Sequence, residues 1–248
     1  MYNFGASGIK NTPPVVKNII LLNVILLLID FVVKSTLGVN LTHVLGLYFF
    51  ESDYFKPFQY ITHMFMHGGL THLFFNMFAL WMFGRVLEGV WGSKRFFIYY
   101  FVTGLGAAAL HSFVNWVEIS SLKAQMTPDQ IQTVYQEGAL AFEQGKNFIN
   151  PLLGKMNLIL NTPTVGASGA VFGVLLGFGM LFPNTRLMLL FPPIPIKAKY
   201  FVIGYGVLEI YLAFSQPGSN IAHFAHIGGM LFGFILIKYW NKNKKTFY

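Results

Sequence analysis

A chain of 248 residues with 54% hydrophobic and 17% aromatic side chains carries only 10% charged residues, against about 25% in soluble domains. That deficit excludes an ordinary water-facing surface and makes lipid the expected solvent. The net charge of +8 sits between apolar runs, not on one polar face, which argues against a nucleic-acid partner and for loop charges that set membrane orientation. With no cysteine, disulfides, thiolate nucleophiles and cysteine metal centres are also excluded.

A membrane helix needs about 20 mostly apolar residues. Six stretches qualify: 18–36, 61–84, 96–116, 164–182, 199–215 and 221–240. Asp30 interrupts the first and Glu209 the fifth. The expected fold is an all-α polytopic membrane protein, a six-transmembrane-helix bundle over 18–240. Residues 1–17 form a cytoplasmic N-terminal segment and 241–248 a basic cytoplasmic tail. No cleavable signal peptide is evident: the N-terminus is polar through Lys17, and no small-residue cleavage site follows the first run. With the N-terminus inside, twelve Lys and Arg fall on the cytoplasmic side and five (Lys34, Lys56, Lys123, Lys146, Lys155) on the other. That asymmetry places both termini in the cytoplasm, and a bacterial cytoplasmic membrane is the expected location.

The first external loop, 37–60, is rich in aromatics such as Tyr48, Phe49, Phe50 and Tyr54. It reads as a segment dipping into the membrane interface or as an aromatic belt. The second, 117–163, contains Thr127-Pro128-Asp129-Gln130, a helix start with Thr as N-cap, Pro at the first position and Gln three after the cap. A short surface helix to about Gln144 is expected, broken by the Gly, Asn and Pro of 145–151. On the cytoplasmic side, Phe191-Pro192-Pro193-Ile194-Pro195 reads as a turn.

The chemistry concentrates in two spans that enter from the external face. Ser168 lies between glycines four residues after Thr164, about 6 Å into its span at the helical rise. His226 lies five residues after Ile221, about 8 Å into its own by the same rise. Gly169, Gly173 and Gly177 on one span, and Gly229 and Gly233 on the other, have the four-residue spacing that lets membrane helices approach closely. Alone, a serine in such a helix is an ordinary packing residue. Paired at equal depth with an intramembrane histidine, itself a functional signal, it points to a nucleophile and its base. The second span adds His63, His67, His72 and Asn76. His72 and Asn76 are four apart and share a face; with the Ser168 N–H they can supply oxyanion donors.

The pattern His67-x-x-x-x-His72-x-x-x-Asn76, then Gly166-x-Ser168-Gly169, then Ala225-His226-x-x-Gly229 resembles the rhomboid intramembrane serine proteases, over about residues 18–240. The resemblance implies a six-helix rhomboid bundle with a water-filled cavity open to the external side. It implies Ser168 as nucleophile and His226 as base, a dyad without a carboxylate, with His72 and Asn76 as oxyanion- or water-binding residues. It implies neither cofactor nor metal. The substrates would be single-pass transmembrane proteins, cut in or near the bilayer at small residues in unstable helices. Glu88 and the aromatic first loop also look like the family. Three features depart from it. Phe58-Gln59 stand where Trp-Arg is common, Phe172 stands where a tyrosine often packs on the histidine, and 117–163 is long.

Two other readings compete. One is a catalytically inactive rhomboid-like protein that binds or escorts membrane clients. The other is a metal-dependent membrane hydrolase or transporter using His63, His67, His72, His223 and His226. Against the second, no His-Glu-x-x-His occurs, and no acidic residue is expected to neighbour the cluster. Asp30 is a conceivable third member beside His226, but the family resemblance argues against it.

Overall fold

The computed structural model describes residues 12–188, 193–215 and 222–242. The first eleven residues, the turn residues Phe191 and Pro192, the start of the sixth span at Ile221 and the tail from Asn243 lie outside them.

Six long helical segments stand where six spans are expected. They are α1 (Pro14–Leu37), the run α4 (Leu70–Ala79) to α5 (Arg85–Trp91), α6 (Ser93–Lys123), α9 (Ser168–Leu181), α10 (Ala198–Ser215) and α11 (His223–Lys242). Three of them, Pro14–Leu37, Leu70–Trp91 and Ser93–Lys123, are long and apolar enough to cross a membrane by length and composition. A π-helical turn, Leu80–Gly84, joins α4 to α5.

Local chemistry fixes the ends of α1. Pro14 occupies the first turn, where its missing N–H removes no bond. The buried Glu88 carboxylate accepts from the N–H groups of Val15 and Val16 at 3.0 and 2.8 Å. It therefore ties the second span to the start of the first. Gly38 closes the helix in the left-handed conformation, φ 69°. Between these ends Leu28 and Phe31 are 58% and 72% exposed, an apolar outer surface suited to lipid.

At the centre α6, α9 and α11 pack on one another. Glycine sets their spacing. A Cβ on Gly169 would meet Ala107 at 2.5 Å, and one on Gly173 would meet Thr103 at 2.5 Å. A Cβ on Gly229 would overlap the Gly169 carbonyl oxygen. The small-residue spacing read from the sequence thus lies at the helix crossings.

Several expected boundaries move. The second span does not begin at 61: α3 (Gln59–Thr62) and a 3₁₀ turn (His63–Phe65) end at Met66, and α4 starts only after Gly69, φ 149°. His63 and His67 therefore precede the helix that carries His72 and Asn76. The fourth span is not helical over 164–167. Thr164 instead bridges Leu47, with reciprocal backbone hydrogen bonds of 2.8 and 2.9 Å.

The first loop, 37–60, is partly folded. It contains α2 (Leu41–Leu45), and it buries Leu47, Tyr48 and Phe49 while Phe50 and Phe58 stay exposed. Buried Gln59 staples it, accepting from the Tyr48 and Lys56 N–H groups and donating to the Val44 and Tyr54 carbonyls. The departure from Trp-Arg is filled by an amide that satisfies loop backbone.

The helix expected in 117–163 is present as α7 (Pro128–Glu143), with its capping box complete. A second helix, α8 (Pro151–Asn161), was not expected; Asn150 caps it and Pro151 starts it. The break expected over 145–151 is present, and its last two residues are the N-cap and N1 of α8. Phe49, Ile119, Leu122, Val134 and Met156 form a second apolar core beneath these helices. Between α9 and α10, β1 (Arg186–Met188) and β2 (Pro195–Lys197) pair antiparallel, with Leu187 opposite Ile196.

Candidate active site

Ser168 owes its position to a break in regular structure. Gly166 adopts φ 127°, and its N–H donates to the His63 carbonyl at 2.9 Å. The chain then turns into α9, whose first residue is Ser168. The hydroxyl is therefore at the helix N-terminus and not one turn inside it. There the first-turn N–H groups have no intrahelical acceptor and the dipole favours negative charge.

His226 is the fourth residue of α11. The close crossing at Gly169 and Gly229 brings its Nε2 to 2.9 Å from Ser168 Oγ. Its ring stacks on Phe172 at 4.2 Å and 7°, so phenylalanine retains the stacking of the family's tyrosine. With the proton on Nδ1, Nε2 accepts from the Ser168 hydroxyl, the geometry a nucleophile and its base require.

Sequence reasoning missed the carboxylate. Glu209, noted only as an interruption of the fifth span, is 6% exposed. Its Oε2 lies 2.6 Å from His223 Nδ1 and 3.0 Å from His226 Nδ1. The first contact is a hydrogen bond. The second has the distance but not the alignment of one. The serine–histidine pair therefore has a carboxylate neighbour, contrary to the expected dyad without one. That neighbour is not Asp30, whose carboxylate accepts from the Leu41 N–H at 2.8 Å. The available signal was an ionisable residue in a membrane span, which is a functional marker by default.

Glu209 also corrects the claim that the histidines lack an acidic neighbour. Its carboxylate and the His223 and His226 nitrogens lie within 4.8 Å of one another, and two histidines with one glutamate is a ligand set zinc accepts.

His72 and Asn76 face the same cavity as Ser168 and His226, which encloses about 1920 Å³. The His72 ring sits beside Gly166, where a Cβ would meet Nε2 at 2.9 Å and stand 3.6 Å from Ser168 Oγ. Asn76 Nδ2 donates to the His72 carbonyl at 2.9 Å. His63 is held by the Gln59 carbonyl at 2.8 Å, and the His67 ring meets His72 edge-on at 5.0 Å. His111, which sequence reasoning passed over, lines the cavity and contacts Thr164 Oγ1 at 3.0 Å.

The Rhomboid domain family model matches residues 54–242, most of the chain and all of these side chains. The chain belongs to the rhomboid family. It is similar to Rhomboid protease GluP of Bacillus subtilis, 28% identical over 174 residues, which are 70% of this chain and 24% of that protein. It is also similar to Rhomboid protease AarA of Providencia stuartii, 25% identical over 185 residues, 72% of this chain and 54% of that one. Rhomboid protein 1, mitochondrial, of Saccharomyces cerevisiae is 26% identical over 183 residues, 72% and 40% of the two chains. This rhomboid chain thus matches about a quarter to a half of those relatives' lengths. Rhomboids are integral membrane proteins, and the spans described above agree.

Proposed function

We propose that this chain is an intramembrane serine endopeptidase that cleaves single-pass transmembrane proteins within the bilayer. The observation that carries the reading is the 2.9 Å contact between Ser168 Oγ and His226 Nε2 inside the rhomboid domain. Two similar rhomboids carry the name protease.

Ser168 is the nucleophile. Its proton passes to His226 Nε2 as Oγ bonds to the scissile carbonyl carbon. The carbonyl oxygen becomes an oxyanion at the N-terminus of α9. The Ser168 N–H, the His72 ring and the second amide hydrogen of Asn76 supply donors there; an asparagine amide has two, and the His72 carbonyl takes one. His226 then gives its proton to the leaving amine, and an acyl-enzyme remains. Water enters from the cavity, loses a proton to Nε2 and hydrolyses the ester.

Cleavage of a reporter transmembrane substrate tests the proposal. Wild type should cleave with or without EDTA, and Ser168→Ala and His226→Ala should not, while melting as folded proteins. Cleavage retained in Ser168→Ala would remove the serine mechanism. A folded wild type that binds the reporter without cutting it would favour the inactive, client-binding relative.

A further inference from the structure

Glu209 lies in the middle of α10, a helix whose other residues at that level face lipid: Leu208 and Ile210 are 46% and 50% exposed. An ionised carboxylate there loses its hydration, and within the membrane such groups persist only with partners. Both partners of Glu209 come from the first turn of α11, His223 at 2.6 Å and His226 at 3.0 Å. No element of the proposed serine–histidine reaction accounts for this placement.

We propose that Glu209 is a positioning residue for His226, its carboxylate holding the base in the Nδ1–H form and balancing the imidazolium charge as the Ser168 proton arrives. The proposal rests on the serine–histidine reading given above.

The argument is one of hydrogen and charge accounting. A neutral imidazole carries one N–H, on either nitrogen. Only the form with the hydrogen on Nδ1 leaves the Nε2 lone pair toward Ser168 Oγ. A carboxylate accepts hydrogens and donates none, so one beside Nδ1 selects that form. His223 has a separate task. Its Nδ1–H donates to the same oxygen, anchoring the carboxylate from the first residue of α11. Phe172 meanwhile holds the ring plane from the opposite helix, at 4.2 Å and 7°.

The 3.0 Å approach to His226 Nδ1 is not aligned as a hydrogen bond. Catalytic hydrogen bonds are commonly loose before substrate binds and tighten in the reacting complex. During transfer the ring becomes cationic, and in a medium of low dielectric a fixed negative neighbour favours that state far more than in water. The gain therefore falls on the transition state, in kcat and not in KM.

The test compares wild type with Glu209→Gln and Glu209→Asp in detergent, following cleavage of the reporter substrate, melting, and ¹⁵N NMR of histidine-labelled protein. Glu209→Gln should lower kcat by about 10²–10⁴, as expected for loss of an orienting carboxylate, with KM within about twofold. Glu209→Asp should recover part of the rate. The His226 ring of wild type should be protonated at Nδ1 and bare at Nε2, and in Glu209→Gln it should become a mixture. A wild-type kcat in folded Glu209→Gln would overturn the proposal, as would an Nε2–H ring in wild type. Stoichiometric zinc bound to purified wild type and lost in Glu209→Gln would assign the cluster to a metal and overturn it equally. If Glu209→Gln does not fold, the tautomer of wild type still decides. The underlying reading fails separately, by turnover that survives Ser168→Ala.

Discussion

In the proposed reaction Asn76 serves both the backbone and the oxyanion with one amide. One of its hydrogens goes to the His72 carbonyl at 2.9 Å, and the other is available to an oxyanion. A donor there gains little from a neutral carbonyl and much more from an anion in a partly dehydrated site. Asn76→Ala should therefore lower kcat tenfold to a hundredfold, roughly the low end for one such donor, because His72 and the Ser168 N–H share the charge. KM should hardly change. Measuring kcat, KM and melting together separates this from a packing role, in which activity and stability fall in step. At this scale the sequence was informative wherever chemistry repeats at helical spacing. His72 and Asn76 share a face, and Ser168 and His226 meet. Glu209 was legible as an anomaly but not as a partner, because the rotation of α10 against α11 that aims it at His226 leaves no trace in spacing.

The helices are held by what glycine omits. At Gly229 an added methyl group would overlap the Gly169 carbonyl, and backbone cannot yield as a side chain does. Gly229→Ala should lower the melting temperature, with overpacking costing about 1–3 kcal/mol, and should slow cleavage by parting Ser168 from His226. Gly204→Ala on α10 is the control. Its Cβ would meet nothing within 4 Å, so stability should hold or rise slightly. Equal losses in the two variants would refute the crossing.

A second element-scale test concerns the external helices. Glu51 joins the first loop to α6 and α7 through Lys123 Nζ at 2.7 Å and the Tyr135 hydroxyl at 2.5 Å. Burial pushes its carboxyl up, but the Lys123 and Tyr135 hydrogen bonds pull it further down, below the usual carboxylate range. A lowered value means that its stabilisation is complete above that range and fades as pH falls through it. Relative to the intrinsic rate at each pH, amide exchange in Pro128–Glu143 should therefore be slow at neutral pH and quicken on acidification. Glu51→Gln should be faster at neutral pH and less responsive to acid; unchanged exchange in the variant would deny Glu51 this role. The capping box of α7 was readable from Thr127 and Gln130. Asn150-Pro151 ends the break after α7 and also starts α8, a second role that the residues carry but that a break alone does not announce. The break at 66–69 and the late start of α9 were not readable, because tertiary pairing of Leu47 with Thr164 and of Gly166 with His63 fixes them.

For the whole molecule, the lipid-facing surface of α1 and the buried packing of α6, α9 and α11 together describe a bundle built for a bilayer. From the charge asymmetry we propose its orientation, with α7 and α8 on the external side and the chain's end in the cytoplasm. Single cysteines at Gln136 and Asn243 test this, since the chain has no native cysteine. In intact cells an impermeant maleimide should label Gln136→Cys and spare Asn243→Cys. The opposite pattern would invert the topology and move the cavity mouth to the other side.

The central claim is that Ser168, activated by His226, is the nucleophile. Its most direct test is labelling of purified protein with a fluorophosphonate, followed by mass-spectrometric mapping of the adduct. The account predicts one adduct, on Ser168, absent from Ser168→Ala and strongly slowed in His226→Ala. An adduct on another residue, or labelling undiminished in Ser168→Ala, would contradict it.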